Sequence, residues 1–113
     1  MPSDPKTREE AWIGDAVLAL FARSWILEHV PEKARSEVFV HLTSNQFLAA
    51  LGDPTRVEAG IGRVYAKEGL QPAFDYIQTQ IAPSLFAQWN KKQRGRRDER
   101  LFLRLDLPEA KVT

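Results

Sequence analysis

An all-α fold is what this sequence predicts, on three observations. Apolar residues recur at three- and four-residue steps through most of the chain, the spacing of helices with one buried face. No apolar–polar alternation of the strand type persists for any length. Proline, glycine, serine and threonine fall where helices start and stop. With 113 residues and 43% hydrophobic content, the chain suits one domain of about five or six helices.

The first predicted helix runs from Glu9 to about Glu28. Ala11, Trp12, Ile13, Ala16, Val17, Leu20, Phe21, Ala22, Trp25 and Ile26 leave it apolar around much of its girth, which makes it central. Val30-Pro31 ends it. Ser36 to Leu42 forms a short helix, and Thr43-Ser44 offers a cap for the next, Asn45 to Leu51. Gly52-Asp53-Pro54 stops that helix and starts another, with Pro54 suited to a first turn. This one spans about Thr55 to Lys67 and closes at Gly69. Gln71 to Ile81 is amphipathic through Ala73, Phe74, Ile77 and Ile81. After Pro83, "APSLFAQW" continues as a short helix or a kinked extension. Leu101 to Leu107 alternates weakly, as a strand or an apolar arm against a partner.

Charge divides the chain unevenly. Residues 1–90 carry 8 basic and 11 acidic side chains, while residues 91–104 carry 7 basic and 2 acidic. A helical domain over 1–90 followed by a basic tail over 91–113 is the expected organisation. The tail's Lys91, Lys92, Arg94, Arg96 and Arg97 point to a phosphate-rich partner. Without cysteine, the chain has neither disulfides nor thiolate metal ligands. The polar start "MPSDPKTREE" lacks a signal-peptide core, and no apolar run approaches the ~20 residues that span a bilayer. A cytoplasmic protein without membrane contact is expected.

Three glycines interrupt helices. Gly14 lies in the first and Gly60 and Gly62 lie in "TRVEAGIGRVYAKEGL"; each costs about 1 kcal/mol against alanine. Close helix–helix approach is the usual compensation. If the two helices touch there, Asp15 and Glu58 converge. Paired carboxylates are the ligands a hard cation takes, and such a cation activates water at a phosphodiester. Partly exposed charges in ion pairs are the plainer reading of the same two residues. His29 and His41 lack any partner at ligand spacing and are expected at the surface or at helix ends. Trp12 and Trp25 are expected to pack in a core or an interface. No glycine-rich phosphate loop or serine-nucleophile motif is present.

The two segments resemble a known family. "WIGDAVLAL" is similar to the signature of the ribonuclease III domain, and "VEAGIGRVYAKEGLQPAFDYIQTQIAPSL" to that family's second motif. "LTSNQFLAALG" resembles the helix between them. The resemblance covers about Glu9 to Leu85 in the family's order. It implies an all-helical endonuclease domain working as a homodimer, cutting double-stranded or structured RNA with magnesium (or manganese) and no small-molecule cofactor. It implies Asp15 and Glu58 as the catalytic, metal-binding acids. It places Trp12 and Ile13 where the family's subunits meet.

The departures are specific. The family usually has acids four and seven residues before the signature aspartate; Ala11 and Arg8 stand there. An aspartate expected three residues before the second glutamate is Thr55. Gly60 and Arg63 replace residues that are usually apolar or small. No double-stranded-RNA-binding domain is expected within these 113 residues, which resembles the mini-ribonuclease III branch, a branch that also tends to carry alanine and threonine where Ala11 and Thr55 stand. That branch keeps a longer basic insertion before the second motif, whose place the 91–104 block is expected to take. The alternative implied by the missing acids is a catalytically inactive scaffold that binds RNA or the ribosome.

Overall fold

The computed structural model describes residues 4–94 and 104–106. Among them every regular element is helical. Helix α1 spans Pro5–His29, and a 3-10 turn over Glu32–Ala34 leads into α2, Arg35–Thr43. Helix α3, Asn45–Leu48, runs on as a 3-10 turn over Ala49–Leu51. Helix α4 is Pro54–Glu68, and α5 is Leu70–Tyr76. A π-turn over Ile77–Ile81 joins α5 to α6, Ala82–Arg94.

Local chemistry fixes the boundaries. Helix α1 begins four residues before the expected Glu9, because Asp4-Pro5 is a complete start signal. The Asp4 carboxylate accepts from the Thr7 amide at 2.7 Å, and Pro5, which has no N–H to satisfy, opens the first turn. Ser44 caps α3 through the Gln46 amide at 3.1 Å, and Asp53 caps α4 through the Arg56 amide at 3.1 Å. Gly69 ends α4 at φ +95°, a backbone state that side chains resist.

The segment after Pro83 is a continuation rather than a new helix. In a regular α-helix the Pro83 ring would meet the Thr79 carbonyl. The wider π-turn sits at that place. The Thr79 hydroxyl donates to the Asp75 carbonyl at 2.9 Å. Past the turn, Leu85, Phe86 and Trp89 face inward.

Helix α1 packs along α4 and against α2 and α5. The core joins Leu18, Phe21, Trp25 and Ile26 of α1 to Val38, Leu42, Leu48, Ile61, Ile77, Leu85, Phe86 and Trp89. The centrality of α1 holds on one side only. Trp12, Ile13, Leu20 and Leu27 are exposed, and Trp12 is 79% so.

Helix α6 runs to Arg94, past the expected division at residue 90. The chain returns at Leu105, which is buried against α6. The Asn90 side chain donates to the Leu105 carbonyl and accepts from its amide, both at 2.8 Å. Residues 104–106 form no strand, and Leu105 packs on its own chain. Arg96 and Arg97 lie outside the described residues.

His41 meets its expectation only in part: it stands in the last turn of α2, as a helix-end residue, but at 2% exposure it is not at the surface. It sits on the inward face of α2 beside Leu42, with its ring 3.7 Å from Phe47 and 5.1 Å from Trp89. Its Nε2 donates to the Leu85 carbonyl at 2.8 Å, tying α2 to α6. Its Nδ1 is buried without a partner. A charged ring would need a second acceptor there, so burial holds its pKa below the ordinary 6.5. His29, by contrast, is exposed at the end of α1, as expected.

Candidate two-carboxylate site

The site begins with two glycines. A β-carbon on Gly14 would overlap the Glu58 carbonyl, and one on Gly62 would overlap the Glu10 carbonyl. The backbones of α1 and α4 therefore cross in direct contact. Buried Ala11 and Ala59 flank the crossing. Two interior glycines cost roughly 2 kcal/mol together. Leu18 and Ile61, fully buried in the common core, each contribute roughly 2 kcal/mol, so the close packing outweighs that cost. Gly60 is not part of the crossing. Its α-carbon faces the Tyr76 hydroxyl, which a β-carbon would approach at 3.1 Å.

Because Gly14 meets the Glu58 backbone, the next residue, Asp15, stands beside the Glu58 side chain. The two carboxyl groups share a hydrogen bond. Glu58 is half-buried and Asp15 is exposed. Burial pushes the Glu58 carboxyl up to about 8, and the hydrogen bond and charge of Asp15 add to the effect.

The pair lies in an open pocket of 370 Å³ whose other walls are Arg8, Ala11, Trp12, Asn45 and Thr55. Arg8, Ala11, Trp12 and Asp15 fall on one face of α1 by their three- and four-residue steps. Thr55 stands one turn before Glu58 on α4. Asn45 comes from the start of α3. Nothing in the local sequence distinguishes Asn45 from an ordinary first-turn residue, so only the packing of α3 shows that it lines this pocket.

Glu9 and Glu10 do not join the acids. Glu10 pairs with Arg63 at 3.3 Å across the α1–α4 crossing. Glu9 lines a neighbouring pocket with Pro5, Arg8 and Trp12. Arg63, an expected misfit, is thus the crossing's ion-pair partner. Among the described residues no group of three or more acids or histidines comes together.

The basic end of α6 lies beside α3. Lys91 and Lys92 are exposed, and the Lys92 ammonium stands 6.0 Å over the Phe47 ring. The Gln88 amide donates to the Phe47 carbonyl at 3.1 Å. Helix α3 therefore has Asn45 in the carboxylate pocket and Phe47 against the basic helix end. Arg94 is the last residue of α6. Trp12 and Ile13 stand exposed next to the pocket. Among the described residues no helix is long and apolar enough to cross a membrane. No protein-family model, curated protein or solved structure matches the chain.

Proposed function

We propose that this chain is a magnesium-dependent endoribonuclease of the ribonuclease III type, acting on double-stranded or structured RNA as a homodimer. One observation carries the reading: Asp15 and Glu58, from separate helices, are brought into one open pocket at a glycine-to-glycine crossing. A carboxyl shifted strongly by burial and a charged neighbour inside a cleft is the pattern of a functional site.

The donor chemistry fits a hard cation. Asp15 and Glu58 would hold it, with the Asn45 and Thr55 side-chain oxygens in the same pocket, and all four supply oxygen, the donor magnesium takes. Bound there, it would supply charge stabilisation at the phosphodiester and an acidified water. The chain's own part is to fix the two carboxylates side by side, and a cation held there would take the place of a proton on Glu58. Exposed Lys91 and Lys92, with Arg94, Arg96 and Arg97 following in sequence, would hold the RNA backbone. Trp12 and Ile13 would meet a second subunit.

A second reading has its own support. Ala11, Arg8 and Thr55 line the pocket where supporting acids would stand, so two carboxylates act alone. A scaffold that binds RNA without cutting it would keep this fold. Incubation of purified protein with long double-stranded RNA and magnesium separates the two. Cleavage by the wild type is expected, reduced at least about 100-fold in Asp15→Asn and Glu58→Gln. RNA bound but uncut by the wild type would establish the scaffold instead.

A further inference from the structure

Arg8 is a charge the fold does not use. It is exposed in the second turn of α1 and lines both the carboxylate pocket and the pocket beside it. Among the described residues its side chain makes no ion pair or hydrogen bond. The acids nearest in sequence do not take it: Glu10 is engaged by Arg63, and Glu9 forms no pair.

Geometry explains why it also stays apart from the two carboxylates. Arg8 and Asp15 are seven residues apart, so their α-carbons sit about 10 Å apart along one helix face. Arg8 thus lines the pocket with Asp15 and Glu58 and pairs with neither among the described residues. An anion in the pocket has this cation within the same lining as the acids.

A planar fork of donors, unpaired and exposed beside a polar pocket, suits a phosphate oxygen pair. We propose that Arg8 is an RNA-binding residue that grips a backbone phosphate in the Asp15–Glu58 pocket. This rests on reading that pocket as the place where RNA lies. The role is one of substrate positioning, with the positive charge supplied by the chain where the pocket's own acids would repel the backbone.

The test is binding of a short RNA duplex by the full chain in EDTA, followed by fluorescence anisotropy across a salt series. Arg8→Ala is expected to bind about tenfold more weakly at ~0.1 M salt and to lower the slope of log K against log salt by about 0.9. Arg8→Lys should recover most of the slope, since it keeps the charge. Arg23→Ala, at the far end of α1, removes the same charge and should stay within about twofold of wild type. Equal binding by Arg8→Ala and wild type would overturn the proposal. So would equal losses in the Arg8 and Arg23 variants, or no RNA binding by the wild type. Cleavage is scored separately with magnesium. A wild type that binds through Arg8 yet never cuts removes the nuclease reading and leaves this one. A wild type that cuts while Arg8→Ala binds unchanged does the reverse.

Discussion

Glu58 is where a single side chain carries most of the chemistry. Its carboxyl is raised from 4.5 to about 8 by burial and by Asp15. A carboxyl whose pKa is higher in the folded than in the unfolded chain stabilises the fold while protonated. That contribution is present below the ordinary carboxylate range and is lost as pH rises through about 8. In EDTA, the wild type should therefore lose thermal stability relative to Glu58→Gln between pH about 5 and about 9. His41 contributes in the opposite sense, losing stability as pH falls below 6.5, but equally in both proteins, so the difference isolates Glu58. Parallel melting curves across that range would show that the two carboxyls do not share a proton. Asp15 and Glu58 were legible in the sequence as residues. Their convergence was conditional there, because it depends on a contact between helices more than 40 positions apart.

At the level of the element, the α1–α4 crossing decides whether the site exists. Of the three helix-interior glycines, two have backbone directly opposite and one has only a tyrosine hydroxyl. Gly14→Ala forces the helices apart and should cost about 3 kcal/mol. Gly62→Ala should behave alike. Gly60→Ala gains helix propensity and displaces only the Tyr76 hydroxyl, so it should remain within about 1 kcal/mol of wild type. Denaturant unfolding of the three variants measures this. Similar values for all three would mean that the crossing is looser than described. Helix starts and stops were readable because caps and prolines act within a few residues, as at Ser44, Asp53 and Gly69. The start of α1 is equally local, since Asp4 caps it and Pro5 opens its first turn. The π-turn was not readable, since Pro83 signals a disturbance without specifying how the chain absorbs it.

The molecule as a whole is a slab, with extents of 45 × 39 × 22 Å, and one face of α1 is left apolar. Trp12, Ile13, Leu20 and Leu27 are exposed along α1, with Val40 exposed on α2. So many large exposed apolar side chains on neighbouring helices suit a subunit interface. We expect a homodimer in sedimentation equilibrium at micromolar concentration. Trp12→Glu should shift it to monomer while helix content by circular dichroism stays constant, because Trp12 contributes nothing to the core. A wild type that sediments as a monomer would remove the dimer from the proposed function.

By itself, the sequence determined the all-helical class, the helix order, the caps and the glycine–acid pairs, because each follows from chemistry within one or two turns. Tertiary structure decided the rest. It chose Gly62 over Gly60 as the partner of Gly14, buried His41 under Trp89 and folded Leu105 back onto Asn90. It also placed Arg8 and Asn45 around the two acids while drawing Glu10 away to Arg63. All of these depend on which faces of distant helices meet, and packing of the complete core settles that. Local periodicity gives a helix its apolar side but not its neighbour.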